Sequence, residues 1–259
     1  MTDEATPASS DGPVKGTQSV RRALQLLRQV ARGNDQGVKL AQLVRDAGLD
    51  RGTTYRLMSC LVEEQFVDRD SASLYRLGPE AVLLGSLLPQ PTPLLRRFVP
   101  VMKRIGRISG DTVFLMMRQG DHVYCAHREE GSSLVKVLTT NVGQQRLIGT
   151  GTGGAAVLRY MGAEELAQTH ARHAAEYAEW GMDADRLQEM ATVVQQTGHA
   201  VTYDAIEIGV SGCGMAFRMG NHGMGALSIA TLTARFGPER QQMLADLFRR
   251  ELQSLGLHD

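Results

Sequence analysis

Apolar positions recur at helical spacing in three successive segments near the start of the chain. The first segment begins at Thr17 and stops at Gly33. The second ends at Gly48, and glycine commonly follows a helix because it accepts a positive φ. The third follows Asp50, whose carboxylate can cap a helix over residues 51–65. The pattern therefore predicts three helices, with a tight turn between the second and the third.

Two short segments of alternating apolar and polar residues follow the third predicted helix. The segments FVDRD and SLYRL flank Asp70 and Ala72, and alternation on both sides of a turn predicts a β-hairpin. Helix, helix, tight turn, helix and hairpin is the order of a winged helix-turn-helix. Four leucines are spaced so that they can face one another in its core: Leu43, Leu49, Leu57 and Leu61.

The outer side of the third predicted helix is rich in polar and basic residues. They lie in its N-terminal half, which helix-turn-helix motifs insert into the major groove of DNA. Arginine can donate two hydrogen bonds to a guanine edge or bind a phosphate. We expect DNA contacts from Arg51, Gly52, Thr53, Tyr55 and Arg56, whereas Thr54 should turn inward. A helical bundle with ordinary surface arginines is the alternative.

A proline-rich segment separates this region from the rest of the chain. The prolines of PQPTP cannot continue a helix, which predicts a linker over residues 81–100. The linker follows the winged domain at residues 15–80 and precedes a second domain at 101–259. Its apolar helical stretches suit packing against a partner chain and packing within one chain equally well.

The pattern changes to strands after Asp111. Interleaved strands and helices predict an α+β domain, and apolar residues on both sides of the first strand pair indicate a sheet covered on both faces. The expected elements are strands at 112–119, 122–129, 133–140, 212–219 and 224–232, and helices after the segment GTGTGG and at 163–178, 183–197 and 238–255.

Composition narrows the class of protein. The 259 residues are 42% hydrophobic, as in an ordinary globular protein. No apolar run reaches the roughly 18–20 residues that a membrane helix needs, and residues 1–14 are typical of a disordered tail rather than a signal peptide. Three widely spaced cysteines exclude a disulfide framework. These features predict a cytoplasmic protein.

Charge is distributed unevenly along a chain whose formal net charge is zero. Residues 15–62 contain nine basic and three acidic side chains, so this stretch has a net charge of +6 and the remainder −6. A small basic domain joined to an acidic body is typical of proteins that bind polyanions. A solvated basic face fits the same charges, so charge alone does not decide between them.

Motifs in both halves resemble those of IclR-type bacterial transcriptional regulators. The N-terminal match is GLDRGTTYRLMSCLVEEQFVDRDSASLYRLGPEAVLLG, and the C-terminal matches are GTGTGGAAVL, GHAVTYDAIEIGVSGCGMAF and GALSIA. The resemblance covers about residues 16–257 in the family's order. It implies an α+β chain of two domains, an N-terminal winged helix that binds operator DNA and a GAF-like C-terminal domain that binds a small effector. Family members are commonly dimers or dimers of dimers and control catabolic operons.

The same resemblance implies where the effector binds. Its residues would be Thr150, Thr152 and Gly153 at the glycine-rich turn, Thr202 and Gly212 in the signature stretch, and Ser228 and Ala230 on the following strand. Backbone N–H groups after the glycine-rich turn could hold a carboxylate, with hydroxyls of the threonines and the serine as further donors. Missing bulk at Gly149, Gly212 and Ala230 favours a roomier pocket, suited to an aromatic or longer-chain acid.

Two other classes of function fit the sequence less well. An enzyme is disfavoured because GTGTGGAA lacks the spacing of a dinucleotide-binding loop, and neither HExxH nor GxSxG occurs. We expect no cofactor and no metal, with His170 and His173 on the surface and Cys125 in the core. A ligand-sensing interaction module without specific DNA binding is the other alternative, and the basic N-terminal stretch argues against it.

Overall fold

The computed structural model describes residues 16–34, 36–87, 92–220 and 223–257. They form two compact units that divide between residues 90 and 91. The predicted tail at 1–14 and residues 88–91 of the predicted linker lie outside the described residues. No helix in the described ranges combines the length and apolar character needed to cross a bilayer.

The first unit has the predicted winged helix-turn-helix. Its helices are α1 Gln18–Arg32, α2 Leu40–Ala47, α3 Arg51–Glu63 and α4 Pro79–Ser86, and its strands are β1 Val38–Lys39, β2 Val67–Arg69 and β3 Leu74–Leu77. The hairpin is confirmed, and β1 joins it to make a three-stranded antiparallel sheet in the order β1-β3-β2. Leu43 and Leu61 are buried in the core with Leu26 and Met58, while Leu49 and Leu57 pack at its margin.

Local hydrogen bonds explain the tight turn between α2 and α3. Gly48 ends α2 at φ 63°, a left-handed conformation that glycine adopts without steric cost. Asp50 then caps α3, because its side chain accepts a hydrogen bond of 2.9 Å from the backbone N–H of Thr53. Both predicted caps are confirmed, and together they fix where α3 begins.

The second unit is a six-stranded antiparallel sheet with helices on both faces. Its strands are β4 Thr112–Gln119, β5 His122–Glu129, β6 Gln145–Leu147, β7 Ala200–Tyr203, β8 Val210–Arg218 and β9 Met224–Leu232. Its helices are α5 Pro93–Ser109, α6 Gly151–Val157, α7 Ala163–Arg172, α8 Ala174–Glu179, α9 Ala184–Thr197 and α10 Pro238–Ser254. The strand order is β6-β5-β4-β9-β8-β7.

Alternating side chains of β4 show that the sheet is covered on both faces, as predicted. Phe114 and Met116 pack in one cluster with apolar residues of α6 to α9. Val113 and Leu115 pack in the opposite cluster with α5 and α10. Phe98 of α5 stacks on Phe217 of β8 with ring centroids 4.6 Å apart, so α5 belongs to the core of the second unit.

Residues 133–140 contradict the sequence-based prediction, because they form no strand. Leu134, Val135 and Leu138 are exposed, so their apolar character does not mark a strand packed on the core. The place beside β5 belongs to β6, through the pair Val123 and Arg146. The strands β1, β6 and β7 were not predicted, and each is four residues or shorter.

Candidate functional site

The N-terminal half of α3 presents the predicted DNA-contacting residues together. Arg51, Gly52, Tyr55 and Arg56 are exposed and Thr53 is half-buried. The Arg56 guanidinium donates a hydrogen bond of 3.3 Å to the Thr53 hydroxyl. Two guanidinium groups, a hydroxyl and a phenol thus share the first two turns of one helix, which is chemistry suited to phosphate and base edges.

Thr54 turns inward, as predicted. Its side chain is fully buried, and its hydroxyl donates a hydrogen bond of 2.9 Å to the carbonyl oxygen of Asp50. The same N-cap keeps a negative charge at the start of the helix, because hydrogen bonds from Thr53 hold the pKa of Asp50 below its ordinary value. The first turn of α3 is therefore fixed from both its inner and its outer side.

The β2–β3 hairpin adds basic residues that the sequence analysis did not single out. Arg76 forms an ion pair with Asp70, which also accepts a hydrogen bond of 2.9 Å from the backbone N–H of Leu74. Arg69 donates a hydrogen bond of 2.9 Å to the Ser73 hydroxyl and lies over the ring of Tyr75. The two arginines were visible in the sequence, but the contacts that hold the β2–β3 hairpin in place were not.

An inner cavity of about 40 Å³ lies between α6 and the sheet of the second unit. Five of the seven predicted effector residues line it: Thr150, Thr152, Gly153, Ser228 and Ala230. Apolar walls come from Phe114 and Met116 of β4 and Ile206 of the β7–β8 loop. These five predicted residues therefore converge on one space, although they come from two distant parts of the sequence.

The other two predicted effector residues are not on the wall of the inner cavity: Thr202 lines the larger neighbouring cavity, and Gly212 lies behind Thr152. The hydroxyls of Thr152 and Thr202 are 2.6 Å apart. Thr202 pairs with Gly212, and Gly212 pairs with Ala230, so the three residues form one row across β7, β8 and β9. They position Thr152, which itself faces the cavity.

The interpretation that missing bulk leaves a roomier pocket is wrong at two of its three positions. A Cβ atom at Gly212 would lie 2.2 Å from the Thr152 hydroxyl oxygen, and one at Gly149 would lie 2.4 Å from the Leu187 side chain. Neighbouring side chains thus already fill the space beside both glycines. Gly149 also has φ 88°, which a residue with a side chain adopts only with strain.

Hydroxyl groups around the inner cavity differ in their availability. Thr150 is buried and its hydroxyl donates a hydrogen bond of 2.7 Å to the carbonyl oxygen of Leu147. The Thr152 hydroxyl has the Thr202 hydroxyl as partner, and either can be the donor. Each threonine oxygen keeps acceptor capacity, and Thr152 can exchange its donor role between Thr202 and a ligand.

Arg146, a cavity residue that the sequence analysis missed, supplies a positive charge. It lines the inner cavity from β6 and donates a hydrogen bond of 2.9 Å to the carbonyl oxygen of Thr139. Burial lowers the pKa of its guanidinium. Nothing in the sequence distinguishes it from a surface arginine, because an isolated basic residue in a polar segment gives no signal of burial.

A second, outer cavity of about 320 Å³ adjoins the inner one. Thr150 and Ala205 line both cavities. The outer cavity is also lined by Trp180, the only tryptophan of the chain. The guanidinium carbon of Arg146 lies 5.7 Å from the centre of the Trp180 indole ring.

Thiol and imidazole groups of the second unit were expected to have no catalytic role. Cys125 is buried in the core as expected, and burial raises the pKa of its thiol to about 11. His173 lies 2.9 Å from a carboxylate oxygen of Asp121. Ligand atoms of His122, His173 and Glu176 lie within 4.8 Å of one another, so the expectation that the chain binds no metal stays a prediction.

Comparisons with known proteins agree with both halves of this picture. Residues 19–71 match the IclR helix-turn-helix domain, and residues 90–255 match the family described as bacterial transcriptional regulator IclR C-terminal. The chain is 25% identical over 212 residues to the HTH-type transcriptional regulator KipR of Bacillus subtilis, covering 80% of this chain and 84% of that one. It is 36% identical over 120 residues to the acetate operon repressor of Salmonella typhimurium, covering 45% and 43%.

Solved structures share the fold over nearly the whole chain. One is a putative IclR transcriptional regulator from Silicibacter sp., with TM-score 0.76, 24% identity and coverage of 92% of this chain and 94% of that one. Another is an IclR homologue from Microbacterium hydrocarbonoxydans in complex with 4-hydroxybenzoate, with TM-score 0.61, 16% identity and coverage of 92% and 100%.

Proposed function

Since the chain belongs to the IclR family of DNA-binding transcriptional regulators, which are not enzymes, we propose that it controls a catabolic operon in response to a small organic or aromatic acid. The observation that carries this proposal is the convergence of Thr150, Thr152, Gly153, Ser228 and Ala230 on one cavity of the second unit. A relative named for the acetate operon supports the class of target, and the homologue in complex with 4-hydroxybenzoate supports the class of effector.

In this proposal the first unit reads double-stranded operator DNA through α3. Arg51 and Arg56 bind phosphates or guanine edges, and Thr53 and Tyr55 add weaker hydrogen bonds. Gly52 lets the backbone approach the DNA closely, since it carries no side chain. The protein acts in the cytoplasm, as a repressor or an activator.

The inner cavity as it stands admits only a small acid. Its volume of about 40 Å³ corresponds to a few water positions, since one water needs roughly 10–15 Å³ on this scale. A two- or three-carbon acid would fit with little rearrangement. An aromatic acid would also need the outer cavity, with which the inner one shares Thr150 and Ala205.

We expect a homodimer or a dimer of dimers, because an operator with two half-sites requires two winged helices. Exposed apolar side chains in α4 and at its C-cap support this expectation and offer contacts for a partner chain: Val82, Leu83, Leu84 and Leu87. Effector binding would change the spacing of the paired winged helices through the segment that joins the two units. A ligand can do this only by binding one arrangement better than the other.

Fluorescence anisotropy with labelled DNA from upstream of the protein's own gene tests the proposal. We expect binding that resists scrambled competitor DNA and is lost in Arg56→Ala. Equal binding to scrambled DNA across the upstream region would contradict operator recognition at that region. A calorimetric titration of the purified chain with monocarboxylates tests the effector class separately.

A further inference from the structure

The half-buried guanidinium of Arg146 contacts one carbonyl oxygen and one aromatic ring. One terminal nitrogen donates to the carbonyl oxygen of Thr139 at 2.9 Å, and the guanidinium carbon lies 5.7 Å from the centre of the Trp180 ring. The Nε atom is shielded from solvent and has no hydrogen-bond partner within the described part of the chain. Burial of this group disfavours its charged form, and no carboxylate in residues 16–34, 36–87, 92–220 or 223–257 offsets that cost.

Five other arginines of the second unit form an ion pair of the kind that Arg146 lacks among the described residues. Arg104 pairs with Glu251, Arg118 with Glu165, Arg128 with Glu130, Arg172 with Asp121 and Arg240 with Asp111. Among the described residues, Arg146 forms no ion pair, and the lining of the inner cavity includes no aspartate or glutamate. Arginine stays charged even when buried, so the cavity contains a positive charge without a protein counterion.

A carboxylate is the ligand group that best matches this environment. A guanidinium presents several N–H donors in one plane, and a carboxylate can accept two of them in parallel. The Nε–H of Arg146 has no partner among the described residues, and its parallel donor is an N–H of Nη2, the terminal nitrogen that also donates to Thr139. Phe114 and Met116 also line this cavity, and an apolar lining strengthens a charge-assisted hydrogen bond.

We propose that Arg146 anchors the carboxylate of the effector and sets the specificity of the cavity for acids over their neutral analogues. This inference rests on the proposed function, because it assigns the effector's charged group to a residue in the same cavity. It also gives Thr150 and Thr152 a different task, which is to orient the remainder of a ligand whose charge is held elsewhere.

Trp180 makes the inference measurable without any DNA. It is the only tryptophan of the chain and lies against the Arg146 guanidinium, so a ligand that engages Arg146 should change its fluorescence. The test titrates the full-length protein with acetate, pyruvate, 4-hydroxybenzoate and the neutral 4-hydroxybenzamide. Calorimetry on the same samples detects binding that leaves the fluorescence unchanged.

Three variants separate the charge of Arg146 from its structural contact. Arg146→Gln removes the charge, and Arg146→Lys keeps the charge but loses the planar donors. Arg128→Gln is the matched control, because Arg128 also donates to the 139–144 loop, at 3.4 Å to the carbonyl oxygen of Thr140, but does not line the inner cavity. Thermal unfolding of each variant verifies that it is folded.

We expect at least one acid to bind the wild-type chain and Arg128→Gln with equal affinity and to prefer both over the amide. Arg146→Gln should bind that acid about ten- to a hundredfold more weakly, as for the loss of hydrogen bonds to a charged group, and Arg146→Lys should fall in between. In Arg146→Gln the preference for acid over amide should disappear.

Two results would overturn the inference while leaving the proposed function standing. One is unchanged acid preference in Arg146→Gln, and the other is an equal loss of affinity in Arg128→Gln, which would assign the effect to the loop. Failure of the wild-type chain to bind any of the acids would instead contradict the proposed effector class, and the inference with it.

Discussion

The hydroxyl oxygens of Thr152 and Thr202 lie 2.6 Å apart and join the first turn of α6 to β7. Behind them Gly212 leaves no room for a side chain, since a Cβ atom there would lie 2.2 Å from the Thr152 oxygen and 2.6 Å from the carbonyl oxygen of Ile229. Thr152 is thus held by a partner on one side and a glycine on the other. The part of the inner-cavity wall formed by Thr152 therefore depends on its hydrogen bond with Thr202, which does not itself line that cavity.

Gly212→Ala should destabilise the second unit and impair the response to acids. The new methyl group meets backbone as well as side-chain atoms, so the strand or Thr152 must shift, at a cost of about 1–3 kcal/mol. Urea unfolding measures the cost, and acid titration measures the response. Gly237→Ala is the control, because a Cβ atom at Gly237 meets nothing within 4 Å. Equal effects of the two substitutions would contradict the account of Gly212.

Arg56 variants should distinguish a phosphate contact from a base contact. Arg56 is exposed on α3, so Arg56→Ala should weaken operator binding without unfolding the protein. A lost phosphate contact reduces the log–log salt slope by about 0.9, and Arg56→Lys should then restore the affinity. A lost guanine contact relaxes sequence preference, and lysine should not restore it. Wild-type affinity in Arg56→Ala would remove Arg56 from the interface.

Asp121 should make the second unit sensitive to acid. Hydrogen bonds from Arg172, and then from His173, lower the pKa of Asp121 to about 2 from its ordinary 3.8. A carboxyl group with a lowered pKa in the folded state contributes stability above its unfolded pKa, and that contribution is lost as the pH falls from about 4 to 2. Asp121→Asn should therefore lower the melting temperature at pH 7, and its difference from wild type should shrink below pH 4. A difference independent of pH would contradict this explanation.

The three cysteines should differ sharply in reactivity. Cys125 and Cys213 are buried, and burial raises the pKa of their thiols to about 11 and about 12, whereas Cys60 is exposed on α3. Because the thiolate is the reactive form, a disulfide reagent at pH 8 should modify one thiol per folded chain and three after unfolding. Cys60→Ser should abolish the reaction of the folded protein. Rapid modification of two or more thiols would mean that the core opens readily.

Sequence periodicity predicted the longer elements well. The bounds expected for β4, β5 and β9 are those of the structure, and α3 ends two residues before its predicted end. These elements bury alternate or helically spaced apolar residues, so the pattern in the sequence reflects the packing directly. Residues 133–140 show the limit, because alternation reveals which residues are apolar but not whether a sheet edge is available to pair with them.

The candidate cavity was predictable in its position but not in its chemistry. Motif resemblance located Thr152 and Ser228, which do line the inner cavity. The space expected beside Gly149 and Gly212 is absent, because the side chains of Leu187 and Thr152 occupy it. A local sequence pattern does not show which side chains the tertiary structure places beside a glycine. The positive charge of Arg146 was missed for the same reason, since only the folded chain brings Trp180 and the cavity lining beside it.

The most direct test of the account measures the coupling between acid and DNA. Operator affinity is determined by anisotropy with and without the tightest-binding acid, in the wild-type chain and in Arg146→Gln. We predict that the acid changes wild-type affinity about five- to 150-fold, that DNA changes acid affinity by the same factor, and that Arg146→Gln binds DNA normally but loses the response. An acid that binds tightly to the second unit and leaves operator affinity unchanged would contradict ligand-controlled DNA binding.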